Sequence, residues 1–542
     1  MQNNQLFRKI IQNTLLLVVL LHCFFITKTD AQNWPWIMPI SGAGNQTITG
    51  ITTQPNTGII LTAGHFKNEL TIDNSTEPAV GITDLFLAAT NPDGVPLWVQ
   101  TGHGLGANLS ADVATDDQGQ IYWAGTYWFT TDFGALSLTA TKGAKALFLL
   151  KMDANGNPIW GQSIDGTGNK LLSAMIVDEA GNTYVTGNFS DSLFIENIVL
   201  TATAEKDFFI IKFAPDGNVL WTRQSGINGE IIPARMVYEN NRIAVTGSMR
   251  GQYDFESDTI KNNTNDSDAF VVVYDPDGAV EWARKIGGVN EQSGSDVAFD
   301  GAGNVYAVGS FFGLVRLREN LEIQTQNLNE NFYLVKYNGV GDPLAARSIG
   351  GLELELSQAL RIVNDRLYWC GYFRDGFTVD GFTLTADGTN FNSFVLELNT
   401  DLVVQAVYPV TSEAVVLLTE LTALPTGELF VGGSLNGTAD FEGTFLSTTD
   451  GYDSFVGKLN TTLTDTKLPL SAGINIYPNP AQDWVRLETE EVIATRVYTV
   501  TGTLILETMD KEIDCSEWRS GVYYFLIKTV DGAERIMRLI KS

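Results

Sequence analysis

Asn182-Thr183-Tyr184-Val185-Thr186-Gly187-Asn188-Phe189, followed by Asp207-Phe208-Phe209-Ile210-Ile211-Lys212-Phe213 and Asn218-Val219-Leu220-Trp221, is the stretch from which the fold is read. Each run is short, rich in β-branched and aromatic residues, and bounded by turn formers, which is the pattern of antiparallel strands. The turn before the last run, Pro215-Asp216-Gly217-Asn218, places a glycine where a tight hairpin needs positive φ. No helical periodicity interrupts the stretch.

The same pattern occurs seven times along the chain. A glycine after an apolar strand recurs at Gly64, Gly125, Gly187, Gly247, Gly309, Gly371 and Gly433. An aromatic residue in a further strand recurs at Phe86, Phe148, Phe209, Phe270, Tyr333, Phe394 and Phe455. A constant period of this kind marks a repeat architecture, and a four-stranded sheet with two apolar faces buries them by stacking radially on its neighbours. The expected fold class is therefore all-β, a seven-bladed β-propeller. The fourth strand carries Trp98, Trp160, Trp221 and Trp282, whereas the seventh unit runs out near Leu459. Trp36-Ile37-Met38-Pro39-Ile40-Ser41-Gly42 matches Trp160-Gly161-Gln162-Ser163-Ile164-Asp165-Gly166 in spacing, so the N-terminal strand is expected to complete the last blade. The units resemble the SBBP-type β-propeller repeats of secreted bacterial proteins. The resemblance weakens in units five to seven, where the tryptophan is absent and Asn331 or Asn392 replaces the aspartate of the third strand.

At the N-terminus, Arg8 and Lys9 precede the apolar run Leu15 to Leu21, and Thr29-Asp30-Ala31 offers a small-residue cleavage site. The run is shorter than the roughly 20 residues of a spanning helix, so residues 1–31 are expected to be a signal peptide cut between Ala31 and Gln32, leaving no transmembrane span in the mature chain. The propeller is expected over 32–465 and a linker over 466–473.

Residues 474–542 change punctuation. Tyr477-Pro478-Asn479-Pro480, the strand and turn leading to Gly502, Ser520-Gly521-Val522-Tyr523-Tyr524 and a closing strand to Lys541 follow in order. This segment resembles the type A C-terminal sorting domain of the type IX secretion system, with Thr499 and Thr501 where that family usually has an acidic residue beside the glycine. The resemblance implies a small Ig-like β-sandwich, the type IX secretion machinery as a partner, and a secreted or cell-surface location.

The chain has 34 basic and 63 acidic residues, a formal charge of −29, which disfavours nucleic acid as a partner. Its three histidines and three cysteines form no metal-spaced pair, so no metal and no cofactor are expected. Cys370 and Cys515 are expected to be buried single thiols. The Asp116-Asp117-Gln118-Gly119 and Asp275-Pro276-Asp277-Gly278 segments read as hairpin turns rather than as catalytic or calcium sites.

One regularity suggests a ligand surface. His65, Thr126, Asn188, Ser248, Ser310, Tyr372 and Ser434, each following a landmark glycine, are all polar and form a candidate ring suited to a glycan or an envelope protein. The long segments between second and third strands are expected to be variable loops flanking it. The function expected is a non-catalytic ligand-binding, adhesion or scaffold module, with no catalytic residue assigned. The alternative is a propeller-type glycan hydrolase, which would need carboxylates converging in one cleft with their pKa values pushed apart.

Overall fold

The computed structural model describes residues 33–461 and 475–541, apart from 226–227, 256–257, 263–265, 326–328, 352–353, 387–389, 449, 478–480, 489–491, 500–503, 520 and 530–533. The signal segment with Ala31 and Gln32, together with Pro478, Asn479, Pro480 and Gly502, lies outside the described residues. Among the described residues the chain is all-β, without a helix.

Each repeat is an antiparallel meander of four strands. In the first, Gln46–Thr53, Ile60–Phe66, Asp84–Thr90 and Pro96–Gly104 pair in sequence order. The inner strands of the next six repeats are Leu109–Thr115, Lys170–Val177, Asn228–Glu239, Gln292–Phe299, Glu355–Val363 and Val415–Ala423. The seventh meander takes its outer strand from the other end of the chain: Trp36–Ile40 pairs with Asp453–Leu459, setting Pro39 opposite Phe455.

The two sequence landmarks turn out to be one device. Every landmark glycine is the direct cross-strand partner of the landmark aromatic, from Gly64 and Phe86 through Gly309 and Tyr333 to Gly433 and Phe455. A Cβ on Gly64 would stand 2.2 Å from the Thr47 carbonyl oxygen and 2.5 Å from the Phe86 ring. Only glycine lets the ring lie flat over the second strand while the first strand packs behind it.

Adjacent meanders are latched at their outer edges. The Trp160 Nε1–H donates to the Pro215 carbonyl of the next repeat at 3.1 Å, Trp221 to Pro276 at 3.2 Å and Trp282 to Gly339 at 3.2 Å. Beneath Trp160 and Trp282 sits the turn glycine of the next repeat, a Cβ on Gly341 coming within 2.6 Å of Trp282, whereas at Trp221 the Arg223 guanidinium lies between the ring and Gly278. Trp36 makes the same bond, to Pro92 at 3.0 Å, thereby joining the last meander to the first. Arg223 and Arg284 add a second bond to the next turn, and in the fifth repeat, which lacks the tryptophan, Arg347 keeps it by donating to the Leu402 carbonyl at 2.5 Å.

The long connections between second and third strands differ from the expectation of loops. They fold into hairpins such as Thr130–Phe133 with Leu136–Thr139, which adds to the outer strand of the preceding repeat, Asp132 opposite His103. The hairpins Ser192–Ile195 with Ile198–Thr201 and Thr438–Phe441 with Thr444–Ser447 do the same. Buried Phe133, Leu193, Phe255 and Phe441 tie these hairpins into the core, which is why they are ordered.

The C-terminal segment has its own core of Val485, Leu487, Val497, Ile513, Cys515, Phe525, Ile527 and Leu539. It lies between a three-stranded sheet and a four-stranded sheet that ends on Glu534–Lys541. Cys370 and Cys515 are both buried and unpaired, and burial pushes the Cys370 thiol up to about 12.

Candidate functional site

All seven residues of the candidate ring occupy one register position, directly opposite Thr47, Leu109, Leu171, Ile232, Ser293, Leu356 and Leu417 of the inner strands. Their exposure is uneven. Thr126, Asn188 and Ser310 are buried, and Ser310 Oγ accepts the Ser357 amide at 3.3 Å. His65, Ser248, Tyr372 and Ser434 are the partly exposed members. The His65 ring is neutral, its pKa pushed down to about 4 by burial, and its Nδ1 has no hydrogen-bond partner.

A second polar constellation, which sequence reasoning missed, lies where the inner strands converge. Each inner strand shifts register at one place, as between Ser110 and Asp112, Pro233 and Arg235, Gly294 and Asp296, and Leu418 and Glu420. Asp112, Arg235, Asp296 and Glu420, each following such a bulge, face one cavity. A cavity of about 300 Å³ is lined by all seven inner strands, among them Asp112, Arg235, Asp296, Arg361 and Glu420. A second opening, of about 430 Å³, shares Arg235 and Glu420 with it and is otherwise lined by Ile48, Gln358 and small residues including Thr49, Ala111, Ser173 and Ser295. The Arg235–Glu420 ion pair is thus the waist between two vestibules.

Every carboxylate at this waist is already held. Glu420 binds Arg235 across 185 residues of sequence. Asp296 accepts Arg361 at 2.9 Å and the Leu360 amide at 2.8 Å. Asp112 accepts the Val113 and Met175 amides at 2.8 and 3.0 Å, its carboxylate seated in the notch left by Gly50. Burial pushes Glu420 up to about 7 against the pull of Arg235, and raises Asp112 as well. Arg235, facing Glu420, Asp112 and Asp296 together, is held firmly cationic. Such an arrangement ties repeats together through the axis; a substrate carboxylate or amine entering it would have to displace an existing partner.

A hydroxyl, an imidazole and a carboxylate also line up on the first meander. Thr101 Oγ1 and His103 Nε2 are 2.9 Å apart, and His103 Nδ1 lies 2.8 Å from Asp84 Oδ2, which raises the imidazole pKa. This has the order of a nucleophilic relay. Its aspartate, however, also accepts the Val80 and Gly104 amides at 2.7 and 3.1 Å. Asp207 clamps Thr203 and Ala204 in the same way two repeats on, with Gln224 in the place of Thr101. The carboxylate therefore belongs to a recurring loop clamp onto which His103 is added.

The turns at Asp116, Asp178 and Asp300 are hairpin turns in which the carboxylate accepts two amides of its own turn and a tyrosine hydroxyl: Tyr184 donates to Asp178 at 3.0 Å and Tyr306 to Asp300 at 3.0 Å. In the Asp275 turn, Oδ1 accepts the Asp277 and Ala279 amides at 2.9 and 2.8 Å. In the C-terminal segment, Gly521 pairs with Lys541, and Tyr523 donates to the Arg519 carbonyl at 2.8 Å while its ring lies tilted against Trp518 at 4.9 Å.

Comparison with known proteins bears on the two parts of the chain differently. Residues 475–542 match the family described as "Secretion system C-terminal sorting domain". This match indicates sorting by type IX secretion, and with it export to the cell surface or the medium. The chain is 24% identical over 359 residues to an uncharacterized WD repeat-containing protein of Acanthamoeba polyphaga mimivirus, covering 53% of this chain and 26% of that protein. It is 23% identical over 282 residues to the regulatory protein FlaEY of Caulobacter vibrioides, covering 48% of this chain and 29% of that one. The chain thus spans little more than a quarter of the length of these curated relatives. Among solved structures, a neuraminidase-like protein of A/little yellow-shouldered bat/Guatemala/060/2010 aligns with 8% identity and a TM-score of 0.32, over 64% of this chain and 93% of that one. Among the described residues no helix is long and apolar enough to cross a membrane.

Proposed function

We propose that this is a cargo of type IX secretion whose repeats form a seven-bladed β-propeller of the SBBP type, acting outside the cell as a non-catalytic ligand-binding, adhesion or scaffold module. Residues 1–31 are the signal peptide that starts export, and the two-sheet C-terminal segment is the Ig-like sorting module that completes it. Ring closure is supported by the pairing of Trp36–Ile40 with Asp453–Leu459, by the Trp36 latch onto Pro92, and by the packing of Gln46–Thr53 against Val415–Ala423. The observation that carries the binding role is that the charged groups at the axis are spent on one another, which leaves the face bearing His65, Ser248, Tyr372 and Ser434 and its connections to meet a glycan or an envelope protein.

The test has two arms. Chain lacking residues 475–542 is expected to stay inside a type IX-competent host, whereas the full chain reaches the surface or the medium; equal export of both would remove the sorting role. Purified chain is then passed over arrays of glycans and envelope components, alongside a glycan-hydrolysis screen. Retention on the array without turnover is expected, and turnover abolished by Asp112→Asn or Glu420→Gln would instead establish the hydrolase.

A further inference from the structure

The fourth residue after each landmark glycine is left-handed in all seven repeats: Asn68 at φ 66°, Phe129 at 60°, Asp191 at 69°, Gly251 at 103°, Gly313 at 87°, Asp375 at 70° and Gly437 at 90°. Six of these are glycine, asparagine or aspartate, the residues that tolerate this conformation. The second repeat alone places a bulky aromatic there. Leu402 is a bulky residue with positive φ elsewhere in the repeats, but it is 3% exposed and its packing rewards the strain. Phe129 is 54% exposed, so no core contact offsets its conformation. A strained residue held in place by the surrounding fold and turned to solvent is a mark of a working surface.

Phe129 does not stand alone. Trp128 lies beside it with ring centroids 6.3 Å apart, and the position of a Cβ on Gly106 would be 2.2 Å from the Trp128 Cβ. The Ile82 amide donates to the Gly106 carbonyl at 3.0 Å, bringing in the 80–83 segment. Leu105 is 75% exposed, Ile82 63% and Val80 59%. Three chain segments from two repeats thus build one apolar patch around two aromatic rings, on a protein whose surface is otherwise strongly acidic.

We infer that this patch, Val80, Ile82, Leu105, Trp128 and Phe129, is a docking surface for a partner protein that inserts an apolar segment flanked by basic residues. The polar side chains beside it are spent internally: Asn108 Oδ1 accepts the Trp128 amide at 3.1 Å and the Thr131 hydroxyl at 3.2 Å, Thr83 donates to the Asn108 carbonyl at 2.8 Å, and Thr130 bonds Thr139 at 3.0 Å. Little remains to read sugar hydroxyls. Asp132 pairs with His103, two residues before Leu105, Glu77 lies three residues before Val80, and Lys145 stands opposite Trp128; the chain's charge of −29 repels a second copy and anionic lipid alike. Lys142, in the connection that follows, is occupied over the Phe194 ring at 5.9 Å. The inference deepens the binding role proposed above and rests on it.

The experiment uses the full chain and immobilised peptides with an apolar core flanked either by lysines or by glutamates, together with neutral oligosaccharides and phosphatidylglycerol-containing vesicles. Capture by the lysine-flanked peptides alone is expected. Phe129→Asn, which installs the residue of the first repeat, and Leu105→Ser should each weaken it by on the order of tenfold or more. Phe129→Asn should also leave Tm unchanged or raise it, because the relieved strain outweighs the loss of a solvent-exposed ring contact with Trp128. A lowered Tm would make Phe129 a structural residue and overturn the inference. Capture insensitive to both substitutions would overturn the patch while leaving the binding module standing. Binding to oligosaccharides or vesicles in place of the lysine-flanked peptides would overturn the partner. A wild type that captures no probe would sink both readings.

Discussion

Asp453 opens the third strand of its repeat, where Asp84, Asp207 and Asp268 stand in other repeats and Asn331 and Asn392 in two more. It is buried, its Oδ1 has no hydrogen-bond partner, and burial together with repulsion from Asp450 pushes its pKa up to about 6, against the donation of the Gly42 amide. A carboxyl raised in the folded state holds its proton there after the unfolded chain has lost it. Stability is therefore unaffected below the ordinary carboxylate range, falls as pH rises from about 4 to about 6, and stays lowered above that. Asp453→Asn should raise stability at pH 7.5 by about 1–3 kcal/mol and leave it unchanged near pH 3, as read by urea denaturation at the two pH values. The replacement is sterically safe because asparagine already fills the place in two repeats. The recurrence of this aspartate is legible in the sequence, but its missing partner is not, since that depends on which amides the neighbouring loop brings within reach.

At the scale of the strand and turn, the indole latch is the feature that repays attention. Spacing alone identifies the tryptophans of the outer strands and the glycines of the turns as separate regularities. The structure joins them, each of these indoles donating to the turn of the following repeat and Trp160 and Trp282 also lying on its glycine. Trp36, on the strand that completes the seventh meander, is the latch that joins it to the first. Trp36→Ala should cost about 3 kcal/mol through lost packing and the lost bond, and it should lower Tm more than Leu97→Ala, an exposed position on an outer strand. Equal effects of the two would mean that the N-terminal strand adds nothing to closure. The inserted hairpins are a harder matter for sequence reasoning. Their alternation is only three or four residues long, too short to separate a strand from a loop until the edge they pair with is known.

For the whole molecule, the axial ion cluster shows what repetition conceals. The repeats are alike in period, yet the positions that follow the inner-strand bulges differ: Gly50, Asp112, Ala174, Arg235, Asp296 and Glu420. Read along the chain these are unrelated substitutions, and read across the axis they complement one another. Arg235→Met should destabilise the chain by about 3–5 kcal/mol, because it leaves Glu420 and Asp112 buried without their cation. Arg235→Met combined with Glu420→Leu should recover much of the loss, and a denaturant-unfolding cycle over the single and double variants measures the coupling. Without recovery, the pair is not the waist. By itself the sequence determined the all-β class, the repeat period, the glycine and aromatic landmarks and the sorting segment, since each rests on local pattern or on neighbouring strands of one sheet. The tertiary structure alone decided which groups from distant repeats meet at the axis, which members of the polar ring are buried, where the hairpins attach and that Phe129 is strained in the open. Those outcomes depend on distances between residues far apart in the chain, and periodicity carries no record of such distances.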